Sequence, residues 1–191
     1  MTAPIAPSRQ AVLDLVTRFG YERRAEPFQL TSGQWSRDYV DGKRVIARGD
    51  RLQVVARAML TVAEAEGVRF RAVGGLTMGA DPFAVGIAAV AGDVEWFSVR
   101  KEAKRHGKQK RIEGADVTAG TPVLLVDDVV TTGKSILEAF DALDEVGAQV
   151  VLACTLVDRG DIAGARLAER GVLYRPLLTY RDLGIEPIGA G

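Results

Sequence analysis

Two adjacent carboxylates, Asp127 and Asp128, follow an aliphatic run and precede three hydroxyl residues and a glycine. The segment covers residues 123–135 and reads VLLVDDVVTTGKS. If a helix begins here, its first backbone N–H groups and its dipole favour an anion, and Gly133 lets the backbone approach a ligand closely. An acidic pair beside an anion site suits a ligand with both a diol and a phosphate, and a phosphorylated ribose is such a ligand.

Two other interpretations apply to this segment. Its ending, Gly133-Lys134-Ser135, is shared with the nucleotide-binding P-loop, but that motif needs a glycine five residues before Gly133. This chain has Asp128 there, whose charge would repel phosphates, so the P-loop is excluded. The plainer interpretation is that the acids only end a strand while Thr132 caps the next helix.

A basic segment, residues 100–111, reads RKEAKRHGKQKR. Seven of its twelve residues are Lys or Arg, and it contains His106, the only histidine. In a chain of zero net charge this is a concentrated positive field, which favours a polyanion. The alternatives are a solvated surface loop or a nucleic-acid site, although no aromatic residues are interleaved for base stacking.

Three further segments carry polar groups. Residues 74–82 read GGLTMGADP and form a turn in which backbone amides can face phosphate oxygens. Residues 28–41 read FQLTSGQWSRDYVD and are typical of a hairpin. Arg159 follows an aliphatic run, where a guanidinium can bind a carboxylate in bidentate fashion; alternatively, it pairs with Asp158 or Asp161 at the surface.

The elements that position these residues follow from hydrophobic spacing. Continuous apolar strands alternate with helices, which indicates a parallel sheet covered on both faces. Ligands of such sheets bind beyond the carboxyl ends of the strands. We expect an N-terminal helix over 8–19 capped by Ser8, and a helix over 50–66 capped by Asp50. A short apolar strand is expected to end at Gly74-Gly75, further strands are expected at about 94–99, 122–126 and 150–157, and helices at 82–91 and 133–146.

Composition narrows the protein class. The chain has 191 residues, 47% of them hydrophobic, and a formal net charge of zero, which argues against a general nucleic-acid binder. The single cysteine, Cys154, permits no intramolecular disulfide and indicates a cytoplasmic location. We expect no membrane segment and one domain, residues 1–191.

Taken in order, these motifs resemble one family along residues 8–183. Residues 123–135 are similar to the signature of type I phosphoribosyltransferases. Residues 100–107, followed by Ile112-Glu113-Gly114, resemble the basic loop of orotate phosphoribosyltransferases, and residues 28–41 resemble their N-terminal hood. Two positions depart from the family pattern, since Thr31 and Met78 stand where many members have lysine.

The resemblance implies an α/β, type I phosphoribosyltransferase fold: a central, mostly parallel sheet flanked by helices, with a small N-terminal helix and hood over about residues 1–45. It also implies a Mg²⁺-dependent transfer of phosphoribosyl from phosphoribosyl pyrophosphate (PRPP) to orotate, in pyrimidine biosynthesis. Mg²⁺ would be held mainly by substrate, with the acids acting through water. A homodimer that shares the basic segment across subunits is expected.

Residue roles come from the same resemblance. Catalytic roles fall to Lys101, Lys104, His106, Asp127 and Asp128. PRPP contacts fall to Arg100, Lys101, Lys104, His106, Asp127, Asp128, Val129, Val130, Thr131, Thr132, Gly133, Ser135, Gly75 and Thr77. Orotate contacts fall to Thr131, Arg159, Ser32 and Tyr39. The alternatives are transfer to another base, a regulator that senses PRPP, or a scaffold with an inactive site.

Overall fold

The computed structural model describes residues 7–30, 33–102 and 111–188. Within these ranges the strands are β1 (Tyr21–Gln29), β2 (Trp35–Val40), β3 (Ala72–Leu76), β4 (Glu95–Val99), β5 (Ile112–Gly114), β6 (Pro122–Val130), β7 (Gln149–Asp158) and β8 (Tyr174–Thr179). The helices are α1 (Arg9–Leu15), α2 (Gly42–Val45), α3 (Gly49–Ala65), α4 (Asp81–Ala91), α5 (Lys134–Glu145) and α6 (Ala163–Glu169). A π-helical turn, Val16–Gly20, continues α1.

Six strands form one sheet in the order β5-β4-β3-β6-β7-β8. Every neighbouring pair is parallel except β4 with β5. Alternate residues of β6 pack into two different cores: Leu124 contributes to the core with α1, α3 and α4, and Leu125 to the core with α5 and α6. The expected α/β fold, a mostly parallel sheet covered by helices on both faces, is therefore confirmed.

Strands β1 and β2 form a separate antiparallel hairpin, with a register shift between Arg23 and Phe28. The hairpin leads directly into α2. Asp41 caps α2 by accepting hydrogen bonds from the backbone N–H groups of Lys43 and Arg44. This short helix joins the hairpin to the sheet.

Most element positions match the sequence, and the differences have local causes. Ser8 caps α1 as expected, with its Oγ accepting from the Ala11 N–H at 3.1 Å. The prediction that Asp50 caps α3 is wrong, because α3 begins at Gly49 and Asp50 accepts hydrogen bonds from Arg48 inside the first turn. The predicted end of β6 at Val126 is also wrong. The strand continues to Val130 because β7 pairs with it along that length.

Candidate active site

A cavity of about 520 Å³ opens beside the carboxyl ends of the parallel strands. The end of β6 and the start of α5 form one side of it, and Tyr39 of the hairpin and Arg159 form another. Its lining residues are Leu30, Tyr39, Val40, Leu76, Lys101, Asp128, Val129, Val130, Thr131, Thr132, Gly133, Lys134, Ser135, Glu138 and Arg159. The place agrees with the rule for ligands of open parallel sheets.

The acidic pair, Asp127 and Asp128, has two different environments. Asp127 is only 4% exposed, and its Oδ2 accepts a 2.6 Å hydrogen bond from Ser135 Oγ. Its Oδ1 accepts from the Asp128 N–H at 2.9 Å. Burial and the neighbouring charge of Asp128 raise the pKa of Asp127 to about 7. The pair therefore carries fewer than two full negative charges near neutral pH.

A lysine from α2 reaches the second acid. Lys43 Nζ lies 3.3 Å from Asp128 Oδ2. Burial alone would lower the pKa of Lys43, but attraction from the carboxylates of Asp128, Asp41 and Asp127 together outweighs it and raises that pKa.

Residues 129–133 form a cradle at the start of α5. Gly133 adopts a left-handed conformation with φ 76°, which glycine reaches without strain, and no described side chain caps the helix. Free backbone N–H groups at a helix start attract an anion. Thr131 and Thr132 line the cavity and add hydroxyl donors beside these amides.

The turn after β3 packs against the acidic pair. A Cβ on Gly79 would lie 2.7 Å from Asp127 Oδ1 and 3.0 Å from Asp128 Oδ1, so only glycine fits here without displacing the acids. Thr77 Oγ1 donates a 3.4 Å hydrogen bond to Asp81, and the Thr77–Met78 peptide bond is cis. Met78 is 71% exposed.

Arg159 also lines the cavity and is buried, with 2% of its surface exposed. Its Nη2 donates to Ser36 Oγ at 3.1 Å, while its Nε has no hydrogen-bond partner among the described residues. Burial lowers the pKa of the guanidinium, against the attraction of Asp38. The alternative pairing with Asp158 or Asp161 is not seen. Such a cation offers strong hydrogen bonds to an anion in the cavity.

Comparison with known proteins agrees with this geometry. The family model described as "Phosphoribosyl transferase domain" matches residues 43–168. Orotate phosphoribosyltransferase of Corynebacterium glutamicum (strain R) is 45% identical over 157 residues, 82% of this chain and 84% of the relative. The chain belongs to the orotate phosphoribosyltransferase family.

Solved structures of other family members have the same fold. Mycobacterium tuberculosis orotate phosphoribosyltransferase in complex with Fe(III) dicitrate is 38% identical, with a TM-score of 0.80 over 94% of this chain and all of that one. The same enzyme in complex with PRPP is 36% identical, with a TM-score of 0.77 over the same shares. Both comparisons extend over β1 to β8, well beyond the range of the family model.

The structure brings most of the family residues named from the sequence to one cavity. The residues that line it are Lys101, Asp128, residues 129–133, Ser135, Tyr39 and Arg159. Asp127 lies directly behind Asp128. Gly75 lies inside β3, where a Cβ would strike the Val126 carbonyl, so it does not line the cavity. Arg100 and Thr77 also lie outside the lining. Ser32, Thr31, Lys104 and His106 lie outside the described residues.

Several lining or supporting residues were not found from the sequence. Lys43 and Ser36 look like ordinary surface residues of a hairpin and its exit, and their partners lie far along the chain. Lys134 and Glu138 line the cavity from one face of α5. Their i, i+4 spacing places both side chains on the same face of a helix, which could have indicated from the sequence that they act together. Cys154 takes no part, because burial raises the pKa of its thiol to about 12.

The described residues include neither a metal-binding cluster nor a membrane-spanning helix. The described residues contain no group of three or more His, Cys, Asp or Glu side chains placed to hold a metal ion. No helix in the described part of the chain is long and apolar enough to cross a membrane.

Proposed function

We propose that the protein transfers the 5-phosphoribosyl group of PRPP to orotate, giving orotidine 5′-phosphate and pyrophosphate, a step of pyrimidine biosynthesis. The observation that carries the proposal is Arg159, a buried guanidinium with a free Nε, on the wall of the cavity that also contains Asp128 and the cradle. Orotate carries a carboxylate that this guanidinium can bind, whereas uracil and the purines carry no carboxylate.

The ribose phosphate fits the side of the cavity formed by β6 and α5. The 5′-phosphate accepts hydrogen bonds from the backbone N–H groups of residues 131–133 and from the hydroxyls of Thr131 and Thr132. Asp128, with Asp127 behind it, accepts hydrogen bonds from the 2′- and 3′-hydroxyls. Ser135 fixes Asp127 through their 2.6 Å hydrogen bond, so the acidic pair and the start of α5 keep a constant separation.

The pyrophosphate lies between the turn after β3 and the basic segment. Lys101 lines the cavity and supplies a cation, and backbone N–H groups of the turn supply donors. Arg100 forms a 3.4 Å ion pair with Glu113 at the base of the segment. The family resemblance adds Lys104 and His106 as pyrophosphate contacts. Cations at the leaving group stabilise the charge that develops as the bond to C1 breaks.

Orotate lies between Arg159 and the hairpin. Tyr39 packs edge-on against Phe28, with ring centroids 5.5 Å apart, and Arg24 lies over both rings. This packing holds the Tyr39 ring at the cavity wall. The base nitrogen N1 bonds to C1 of the ribose as the bond from C1 to pyrophosphate breaks, and positive charge spreads over the ribose ring, as in glycoside cleavage.

The acidic pair fits an indirect role in Mg²⁺ binding. Asp127 accepts hydrogen bonds from Ser135 Oγ and from the Asp128 N–H, and no third acid joins the pair among the described residues. Mg²⁺ usually keeps several waters and takes substrate oxygens. We therefore propose that Asp127 and Asp128 would help to hold the ion through water, with substrate oxygens as its main ligands. The ion supplies charge neutralisation for the leaving pyrophosphate.

The protein is proposed to act as a homodimer in which the part of each subunit's basic segment beyond Lys101 completes the site of the other. This part of the proposal rests on the family resemblance of residues 100–114. Mixing an Arg159→Met variant with a Lys104→Met variant tests it: a shared site restores part of the activity in mixed dimers, and self-contained sites restore none.

Turnover of PRPP with Mg²⁺ against a panel of bases tests the main proposal. Orotate and uracil form a matched pair that differs by the carboxylate, and adenine, guanine, hypoxanthine and xanthine complete the panel. Selective loss of orotate with release of pyrophosphate supports the proposal. Turnover of another base, or PRPP binding with no turnover of any base, contradicts it.

A further inference from the structure

The joint between the hairpin and the sheet rests directly on one catalytic carboxylate. A Cβ added to Gly42, the first residue of α2, would lie only 2.8 Å from Asp128 Cβ. Asp41 holds this end of α2 through two 3.1 Å hydrogen bonds from backbone N–H groups. The backbone of α2 therefore has a fixed position relative to Asp128.

Each oxygen of Asp128 has its own partner. Oδ1 accepts a 2.7 Å hydrogen bond from the Val129 N–H, and Oδ2 receives Lys43 Nζ at 3.3 Å. Gly79 closes a third side, since a Cβ there would lie 3.0 Å from Oδ1. The orientation of the Asp128 carboxylate is thus set by the hydrogen bond from the Val129 N–H, by Lys43 and by the close backbone of Gly79. Of these three contacts, only the lysine can be replaced without altering the path of the backbone.

The position of Lys43 suits orientation more than stability. Its side chain is 55% exposed and that of Asp128 is 18% exposed. Ion pairs with this much solvent contact contribute only about 0–1 kcal/mol to folding. Lys43 is also attracted by Asp41 and Asp127, so it holds a place between three carboxylates. Lys43 does not line the cavity, whereas Asp128 does.

We propose that Lys43 is a positioning residue that orients the Asp128 carboxylate for the ribose hydroxyls of PRPP, and so links the hairpin joint to the ribose site. It acts through Asp128 and makes no contact with substrate. The inference rests on the proposed use of PRPP, but it does not depend on which base accepts the phosphoribosyl group.

The first test compares three variants: Lys43→Met, Lys43→Arg and the control Arg44→Met. Arg44 is the neighbouring exposed cation of α2, and its side chain has no hydrogen bond or ion pair in the described part of the chain. We expect Lys43→Met to raise KM for PRPP about threefold to fivefold, with kcat, KM for orotate and Tm unchanged. Lys43→Arg restores most of the affinity, and Arg44→Met matches the unmodified protein.

The second test separates orientation from direct contact. PRPP binding in the presence of Mg²⁺ is measured by calorimetry for Asp128→Asn and for the Lys43→Met/Asp128→Asn double variant. If Lys43 acts through Asp128, its removal has no further effect once Asp128 is changed. Additive losses show a direct contact with PRPP and overturn the inference, as does unchanged PRPP binding by Lys43→Met alone. Because this assay needs no base, failure of orotate turnover leaves it intact.

Discussion

Replacement of Arg159 by Met separates recognition of the base from stability of the fold. Met has a similar length but no charge, so a carboxylate in the cavity loses its partner. Truncating one member of a buried, hydrogen-bonded charge pair costs about 2–5 kcal/mol. The expected result is a rise in KM for orotate of roughly 30-fold to 5,000-fold, with KM for PRPP changed less than about threefold, because the Arg159 side chain bonds to Ser36 of the hairpin and not to the acidic pair.

The same substitution has an unusual expectation for stability. The Arg159 guanidinium is buried with one hydrogen bond, to Ser36, and no described carboxylate within ion-pair distance. A buried charge that lacks a close partner destabilises the fold. Arg159→Met should therefore leave Tm equal to or above that of the unmodified protein.

Steady-state kinetics with each substrate varied in turn, and thermal unfolding without ligand, check these two expectations together. Arg159→Lys is the matched control for charge, because it keeps the cation but not the planar pair of donors. Its KM for orotate should lie between the values of the unmodified protein and Arg159→Met. Equal increases in KM for orotate and PRPP would refute the assignment of Arg159 to the base. A large fall in Tm would refute the claim that its charge is held at a cost to stability.

Three further perturbations test other parts of the site. Lys101→Met removes a cavity cation beside the pyrophosphate position; kcat/KM for PRPP should fall at least tenfold, or about 1.4 kcal/mol, without loss of Tm, and unchanged turnover would contradict its role. The raised pKa of Asp127 means that its contribution to stability is complete at low pH and is lost as pH rises through about 7. The free energy of unfolding of Asp127→Asn, measured without ligand, should therefore rise relative to that of the unmodified protein from pH 5 to pH 8, by at most about 1.4 kcal/mol per pH unit. A pH-independent difference between the two proteins would show that the group titrates normally. Gly160→Ala places a Cβ against the Thr131 carbonyl and should raise KM for both substrates, whereas unaltered kinetics would show that the cradle can shift freely.

The alternation of apolar strands with helices was sufficient to predict the sheet and its two covered faces. Strands β6 and β7 each contain a run of consecutive buried residues that are mostly apolar, a pattern that only a doubly covered strand requires. Strands β5 and β8 were not predicted. Strand β5 has three residues, and β8 contains Pro176 and Arg175, so neither carries a clear period. Both are edge strands, where the neighbouring strand decides pairing more than the residues do.

The part of the site that is continuous in sequence could also be predicted, because residues 127–135 supply acids, hydroxyls and an anion cradle in consecutive order. The residues that contact this part from elsewhere in the chain could not be predicted, because they meet it only in the folded protein. Lys43 lies 85 residues from Asp128 in sequence, and Ser36 lies 123 residues from Arg159. A lysine or serine in a hairpin exit has no local feature that indicates such a distant partner.

The unexpected length of β6 explains why two identical neighbours have different chemistry. Because the strand continues to Val130, both acids lie inside it, and successive side chains of a strand point in different directions. Asp127 turns toward Ser135 and α5 and is buried, while Asp128 turns toward Lys43 and the cavity. Had the strand ended at Val126, both carboxylates would be free in a loop, with no reason for one to hold the helix and the other to face the ligand. Strand pairing with β7 therefore determines which acid meets the ribose and which fixes the start of α5.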